Sequence, residues 1–429
     1  MTAANLKAEQ AFASVEETRE LARIVELDDV VVHSNADSLE LAIVGGWQCC
    51  VRKGEFKKGD KALYCEIDSM LPTARPEFAF LEARTESLKL IGESVYSRIK
   101  TIKLRKELSQ GIVIPLSPEL ASMPAGTNVT ALLGVLKYES VVQKTETYAA
   151  KKTWLDRLAR IIAGPGVTDI LEPWPSFLRK SEQDRVQNRN TAYKLAVESG
   201  ERFEVTYKLD GASMTAYFIV PESGNPKIGV CSRNNEVSTE DVIWGPVEQV
   251  RRWVASFLLA NRRVHRIKRL IVPKWRKGVF ASDNEFVRAL MDNNLPEKMR
   301  ILYEMYGVQI ALQGELVGPG IQSNFECLPE RKFFVYSVYI LKDYSGKYGL
   351  GLALPDQARE LMELMKIPYV PVFDEDALLP ATIKECLALA DGPAAFKSKG
   401  YREGLVFKSK SRDFSFKAIS NSYLLKADS

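Results

Sequence analysis

The first third of the chain alternates short apolar runs with turn residues. The apolar runs are Leu41–Val44, Cys49–Val51, Ala62–Cys65 and Gly111–Pro115, and glycine-containing turns such as Gly45-Gly46 separate them. Strands of this length at short spacing are typical of small barrels. The pattern predicts a small β-barrel, and residues 1 to about 20 are expected to be a polar lead-in or a short helix.

One predicted strand of this barrel is basic. Between Ser97 and Lys106, Ile99, Ile102 and Leu104 alternate with Arg98, Lys100, Lys103, Arg105 and Lys106. An OB-type barrel can present such a strand to a nucleic-acid backbone. A solvated basic face on a structural domain explains the same pattern, and both interpretations stay open.

Helical spacing appears after the barrel region. Residues 151–163 have it and end at Gly164-Pro165-Gly166, and a second helix is predicted from Glu182 to Val197. From Glu201 onward strands and helices mix, and Pro355–Lys366 is an amphipathic helix with proline at its start. We therefore expect an α+β protein with a barrel domain at 1–150, a helical linker and domain start at 151–200, and a second domain at 201–429.

Composition narrows the function. No apolar run reaches about 18 residues, so no membrane span is expected. The N-terminus lacks the features of a signal peptide, which favours a cytoplasmic or other intracellular protein. The six cysteines form no CxxC pair, and only His33 and His265 are histidines. Lysines and carboxylates must therefore carry any acid–base or nucleophilic chemistry.

The basic character is concentrated in one segment. Residues 249–282 contain ten Lys or Arg and no Asp or Glu, whereas the net charge of the whole chain is only +4. Basic residues with interleaved tryptophans suit a nucleic-acid backbone, and we expect Arg262, Arg263 and Arg266 to bind RNA. The alternative is an amphipathic helix that packs on the domain.

Five short segments carry candidate chemistry. In Glu204–Gly211, a strand ends in Lys208-Leu-Asp210-Gly211, and a lysine amine held unprotonated beside a phosphate can attack phosphorus. Burial or neighbouring positive charge lowers a lysine pKa toward that state, and the glycine lets the backbone approach a ligand. In the second segment, Arg233 leaves a strand and can fork onto a ribose or phosphate.

The other three segments follow in order. Glu315 lies in Gly314-Glu-Leu-Val-Gly-Pro-Gly-Ile-Gln322 and can bind a ribose hydroxyl or a metal-bound water. Tyr336 can stack on a purine. Glu403 begins the last segment as a carboxylate that fits Mg²⁺, and Lys408 and Lys417 suit an α-phosphate that loses pyrophosphate. Together these groups meet the needs of nucleotidyl transfer.

In this order the segments resemble the motifs of the covalent nucleotidyltransferase superfamily, which contains RNA ligases, DNA ligases and mRNA capping enzymes. The similarity is closest to ATP-dependent RNA ligases of the RNA ligase 2-like kind. The resemblance implies an adenylyltransferase (ATP-grasp-like) domain of antiparallel sheets and helices. It implies Lys208 as the adenylated nucleophile, and an ATP site formed by Lys208, Asp210, Gly211, Arg233, Glu315, Tyr336, Glu403, Lys408 and Lys417. We expect Asp210, Glu315 and Glu403 to hold Mg²⁺, or Mn²⁺ in its place.

Domain order distinguishes the relatives. DNA ligases and capping enzymes carry an OB domain after the last motif, but only twelve residues follow Lys417 here. An OB-like domain before the transferase is similar to one clade of RNA ligases that seals nicks with a 3′-OH and a 5′-phosphate. Phe177–Asn188, just before the transferase motifs, also resembles that clade. We expect a monomeric RNA repair ligase. A GTP-using capping enzyme, a DNA ligase and an RNA-binding protein with an inactive transferase fold are the alternatives.

Two positions depart from the usual motifs. The aspartate that often follows the stacking aromatic is Ser337, and the last motif, often Lys-x-Lys, is Lys417-Ala-Ile419.

Overall fold

The computed structural model describes residues 20–138, 171–180, 183–222, 224–239, 284–396 and 400–427. The predicted helix at 151–163, the domain boundary near residue 150 and the basic segment 249–282 with Arg262, Arg263 and Arg266 lie outside these residues. No helix in the described ranges has both the length and the apolar composition to cross a membrane.

Residues 20–138 form the predicted domain of short antiparallel strands. The strands are β1 (Ala22–Glu26), β2 (Asp29–Val32), β3 (Leu39–Val44), β4 (Trp47–Arg52), β5 (Lys61–Cys65), β6 (Ser69–Pro72), β7 (Leu88–Ile91), β8 (Ser94–Arg98), β9 (Thr101–Leu104), β10 (Glu107–Gln110), β11 (Ile112–Ile114) and β12 (Leu136–Lys137). Helix α1 (Pro118–Ala121) follows β11. The twelve strands pair in four small sheets, ordered β1-β5-β11, β2-β3-β4, β9-β10 and β12-β6-β8-β7.

Strand β5 shows how this domain builds its core. Successive side chains of a strand point to opposite faces. Ala62 and Tyr64 belong to one buried cluster, whereas Leu63 and Cys65 belong to another. Apolar residues at every position of this run therefore join two cores rather than one, which explains why the run lacks polar alternation.

The basic segment Ser97–Lys106 is two strands rather than one. Strand β8 ends at Arg98, β9 begins at Thr101, and Arg105 and Lys106 turn the chain with positive φ of 45° and 74°. Ile99, between the strands, is buried in the domain core. The prediction of one continuous basic strand is wrong because the chain passes from one sheet to another at this point.

Two larger sheets make up the second domain. Their strands are β13 (Leu171–Pro173), β14 (Asp184–Arg185), β15 (Arg202–Lys208), β16 (Ala212–Ile219), β17 (Lys227–Cys231), β18 (Asn235–Val237), β19 (Val308–Val317), β20 (Lys332–Asp343), β21 (Gly351–Leu352), β22 (Val372–Leu378), β23 (Gly404–Ser409) and β24 (Ser415–Ile419). The first sheet is ordered β13-β18-β17-β16-β19-β20-β21, and the second β14-β24-β23-β15-β22.

Six helices accompany the two sheets in the described part of the second domain. They are α2 (Asn190–Ser199), α3 (Glu285–Asp292), α4 (Leu295–Tyr306), α5 (Pro355–Met365), α6 (Ile383–Ala390) and α7 (Asn421–Ala427). Apolar residues of α3, α4 and α5 share a core with the seven-stranded sheet, and those of α2 and α6 with the five-stranded sheet. This arrangement leaves the opposite faces of the two sheets free to form a site.

The helix predicted from Glu182 to Val197 is shorter in the structure and begins eight residues later, at Asn190. Helix α2 starts at Asn190 and ends at Gly200, whose φ of 66° gives a left-handed C-cap. Before it, β14 pairs in parallel with β24, placing Arg185 beside Lys417. Pairing with a distant strand thus overrides the local helical pattern. The predicted helix at Pro355–Lys366 is confirmed as α5.

Candidate active site

A cleft of about 900 Å³ opens where the barrel domain meets the second domain. Arg98 and Lys137 line it from the barrel side. From the second domain, it is lined by eight of the nine residues predicted for the nucleotide site: Lys208, Asp210, Gly211, Arg233, Glu315, Tyr336, Glu403 and Lys417. The fold therefore brings together residues that lie more than 200 positions apart in the chain.

Lys208 lies at the end of β15, where the strand faces β23. The antiparallel register pairs Lys208 with Gly404, so its side chain emerges beside Glu403. The Lys208 Nζ donates a hydrogen bond to Glu403 Oε2 at 2.8 Å. Lys208, the last residue of β15, and Glu403, the residue just before the neighbouring strand β23, thus form the central ion pair of the cleft.

The pKa of Lys208 is shifted in the direction opposite to the one expected from burial. Burial alone lowers the pKa of Lys208, but Glu403, Glu315 and Asp210 together outweigh burial and raise it above its ordinary value. The expected lowering by burial is therefore only one contribution, and the three carboxylates reverse it. An unprotonated Lys208 as the attacking group stays a prediction.

The pKa values of two carboxylates beside Lys208 are raised as well. Burial raises the pKa of Glu315 to about 7, and the charges of Glu403 and Asp210 add to this against the effect of Lys208. Burial likewise raises the pKa of Glu403. Such an excess of buried negative charge fits a divalent cation with oxygen ligands. Within the described ranges, however, no three His, Cys, Asp or Glu side chains are grouped to hold a metal by themselves. The metal role of Asp210, Glu315 and Glu403 stays a prediction.

Cations gather on the other side of Lys208. Lys417, on β24, has its pKa lowered to about 8, first by burial and then by the positive charges of Lys208, Arg185 and Arg233. Arg233 is exposed at the cleft, just after β17. The positive charges of Lys417, Lys208, Arg185 and Arg233 act on one another here, and such a group of cations suits phosphate oxygens.

Tyr336 gives the cleft an aromatic surface. It lies on β20, and its hydroxyl is 3.2 Å from Ser213 Oγ. Leu209, Val370 and Val406 also line the cleft and add apolar area. An aromatic ring beside aliphatic side chains suits a purine base. Stacking of adenine on Tyr336 stays a prediction.

Lys408 is the predicted site residue that lies apart. It is buried, and its Nζ donates to the Tyr336 carbonyl oxygen at 2.6 Å and to the Tyr369 hydroxyl at 3.1 Å. Glu204 Oε1 is 3.7 Å from the same atom. Strand alternation places Lys408 on the same face as Val406, but one step farther from the cleft. The geometry does not support its predicted contact with the α-phosphate, because its donors are used inside the protein.

Packing inside the sheet also requires glycine at position 211. A Cβ at this position would lie 2.4 Å from the Leu316 carbonyl oxygen and 2.6 Å from Val317 Cγ1. The close approach of β16 to β19 therefore requires glycine here, and the expected approach to a ligand stays a prediction, with Gly211 among the residues that line the cleft. The amide of Gln322 also donates to the Gly211 carbonyl oxygen.

Sequence reasoning assigned no role to three further residues of this region. Arg185 lines the cleft beside Lys417, Glu326 accepts a hydrogen bond from the Asp210 amide at 3.3 Å, and the Tyr423 hydroxyl donates to Asp210 Oδ2 at 3.1 Å. Arg185 lies in Phe177–Asn188, a segment that the resemblance already includes. The contacts of the three residues with Asp210 and Lys417 become visible only in the three-dimensional structure, because the partners are distant in the sequence.

Comparison with known proteins agrees with this architecture. An OB-fold domain model matches residues 21–116, and an RNA ligase model matches residues 201–419. Solved structures of an RNA ligase from Naegleria gruberi match along nearly the whole length. An apo variant has 30% identity and a TM-score of 0.63, covering 96% of this chain and 98% of that one. A variant solved with ATP and Mn has 30% identity and a TM-score of 0.63, covering 95% and 98%.

A third structure of that ligase, solved with PPi, has 30% identity and a TM-score of 0.63, covering 96% of this chain and 99% of that one. No curated protein sequence matches the chain. The chain thus combines an OB-fold domain with an RNA ligase domain whose cleft is centred on a lysine. The chain belongs to the RNA ligase family. The predicted α+β fold with an N-terminal OB-like domain is thereby confirmed.

Proposed function

We propose that this RNA ligase consumes ATP with Mg²⁺, carries AMP on Lys208 and joins RNA 3′-OH and 5′-phosphate ends at nicks during RNA repair. The observation that carries the proposal is the position of Lys208, paired with Glu403 at 2.8 Å in a cleft that also holds Lys417, Arg233 and Tyr336. The Naegleria gruberi ligase has been solved with ATP and Mn and with PPi, which supports the same substrate here.

In the first step the Lys208 Nζ attacks the α-phosphorus of ATP. A nitrogen–phosphorus bond forms, the bond to the β-phosphate oxygen breaks, and pyrophosphate leaves with the electron pair of that bond. Lys417 and Arg233 offset the charge on the phosphates, while Tyr336 and its apolar neighbours hold the base. Positioning and charge neutralisation dominate such phosphoryl chemistry.

The Lys208 amine must lose its proton before it attacks. Glu403, Glu315 and Asp210 raise its pKa, so they oppose this loss while they remain uncompensated. Bound beside these carboxylates, Mg²⁺ supplies positive charge that offsets theirs and neutralises the phosphates.

Two further transfers complete the reaction. AMP passes from Lys208 to the RNA 5′-phosphate, so the nitrogen–phosphorus bond breaks and a phosphoanhydride forms. The 3′-OH then attacks the 5′-phosphorus and AMP leaves. The basic segment 249–282 and the barrel-side cations Arg98 and Lys137 are our candidates for holding the RNA backbone.

Intact and peptide mass spectrometry after incubation with ATP and Mg²⁺ tests the first step. The protein is first treated with pyrophosphate to remove any AMP already bound, and GTP is assayed in parallel. We expect one AMP on the peptide that contains Lys208 and none from GTP. Lys208→Ala should remove the adduct, whereas Lys332→Ala, at a half-exposed lysine paired with Glu330, should keep it.

Ligation assays test the rest of the proposal. Nicked RNA duplexes with 3′-OH and 5′-phosphate ends should be sealed faster than single strands or DNA nicks. Lys208→Ala should fail with ATP yet still join a preadenylylated nick, because the later steps need no lysine nucleophile. A GMP adduct, or no adduct after pyrophosphate treatment, would contradict the proposal.

A further inference from the structure

The loop that carries Asp210 joins β15 to β16 and sits directly after Lys208. Two residues of the 321–328 loop hold its backbone: Glu326 accepts from the Asp210 amide at 3.3 Å, and Gln322 donates to the Gly211 carbonyl oxygen. These contacts fix the main chain of the loop. They leave the direction of the Asp210 carboxylate to be set by something else.

Helix α7 supplies that contact. The Tyr423 hydroxyl donates to Asp210 Oδ2 at 3.1 Å, across 213 positions of sequence. The Tyr423 ring packs edge-on against Phe325, with centroids 5.2 Å apart. Tyr423 therefore reaches into the cleft, where it lies with Lys208, Glu403 and Lys417 among the lining residues.

The start of α7 is itself anchored, so Tyr423 has a fixed base. The Tyr423 amide donates to Ser420 Oγ at 3.0 Å, and the Ser422 amide donates to Asp391 Oδ1 at 3.1 Å. From the barrel domain, the Lys103 Nζ donates to the Leu425 carbonyl oxygen at 2.8 Å. Helix α7 thus lies between the β9–β10 hairpin and the catalytic loop, in contact with both.

We propose that Tyr423 is a positioning residue for the adenylylation step, which orients the Asp210 carboxylate beside Lys208 and fixes it through a helix that the barrel domain also contacts. The inference rests on the proposed function. Tyr423 transfers no atoms in it: its hydroxyl keeps its hydrogen and acts only on Asp210. The geometry also accounts for Lys103, whose amine is directed toward α7.

The experiment must distinguish the effect of the Tyr423 hydroxyl on Asp210 from the packing of the Tyr423 ring against Phe325. Tyr423→Phe keeps the ring against Phe325 and removes only the hydroxyl. Tyr401 is a matched control, because its ring also packs on Phe325, with centroids 5.8 Å apart. Comparing Tyr423→Phe with Tyr401→Phe therefore isolates the hydroxyl that reaches Asp210.

The experiment measures single-turnover formation of the AMP adduct from ATP and Mg²⁺, using pyrophosphate-treated full-length protein. A hydrogen bond to a charged group justifies an expected loss of about tenfold in the rate at saturating ATP for Tyr423→Phe. We expect KM for ATP and the melting temperature to stay near the wild-type values. Tyr401→Phe should keep the wild-type rate.

A double mutant tests whether Tyr423 acts through Asp210. In an Asp210→Asn background, adding Tyr423→Phe should slow the residual rate by less than about twofold, because the partner charge is already gone. Equal losses in Tyr423→Phe and Tyr401→Phe, or fully additive losses with Asp210→Asn, would overturn the inference. So would a wild-type rate in Tyr423→Phe. A wild-type protein that forms no adduct would defeat the proposed function itself, and the inference with it.

Discussion

Replacing Lys408 with Met tests whether this lysine is a buried structural cation or a phosphate-binding group. Methionine keeps much of the apolar stem but removes the ammonium. The variant loses the 2.6 Å bond to the Tyr336 carbonyl oxygen and the pairing with Glu204, which is itself fully buried. Both losses occur beneath the cleft rather than in it.

The magnitude follows from the pKa of Lys408. Burial lowers it from 10.5 to about 8, and Glu204 offsets only part of that effect. Between these values the unfolded chain binds more protons than the folded one, so the free energy of unfolding rises with pH there. The full cost of the buried charge is present below about pH 8. From about pH 7 to about pH 9.5, the wild type should gain ~2 kcal/mol relative to Lys408→Met.

Urea unfolding at these two pH values measures that difference. Lys332→Met serves as the control, because the Lys332 side chain is 45% exposed and pairs with Glu330 at 3.0 Å. The control should follow the pH dependence of the wild type. In the adduct assay, Lys408→Met should still accept AMP at saturating ATP, with a raised KM, because the strand that carries Tyr336 is less firmly held.

Two results together would refute this reasoning. The first is a pH dependence of stability in Lys408→Met that runs parallel to the wild type. The second is a complete loss of the AMP adduct with an unchanged unfolding midpoint. That combination would mean that Lys408 acts on the nucleotide phosphates, as its position in the sequence motif predicts.

The remaining predictions concern the cleft and the RNA. Lys417→Met should slow adduct formation at least a hundredfold and leave the melting temperature within a few degrees, since it removes a phosphate-facing cation; a rate within threefold of the wild type would argue against that role. Gly211→Ala should destabilise the protein by about 1–3 kcal/mol, because its Cβ meets the Leu316 carbonyl oxygen; an unchanged melting temperature would show that β16 and β19 can separate at no cost. Neutralising Arg262, Arg263 and Arg266 should weaken RNA binding and flatten its salt dependence, and equal affinity at every salt concentration would exclude these arginines from the interface.

The sequence by itself determined the local elements and the set of chemical groups. Short apolar runs between turns marked β3, β4, β5 and β11, and a proline before an amphipathic repeat marked α5, because these signals act over a few residues. The order of the motif segments identified Lys208, Glu315 and Glu403 as members of one site. The residue types alone indicate a lysine nucleophile, carboxylates and cations, which are the groups that nucleotidyl transfer needs.

Only the tertiary structure decided how those groups act on one another. The register of β15 on β23 places Glu403 against Lys208 and carries Lys408 away from the cleft. The pKa of Lys208 is raised rather than lowered because three carboxylates from separate segments sum their fields at one buried amine. The fold likewise brings the Tyr423 hydroxyl within hydrogen-bonding distance of Asp210, 213 positions away in the sequence. Charge and hydrogen bonding act through space, and the distances that set them exist only after the strands have paired.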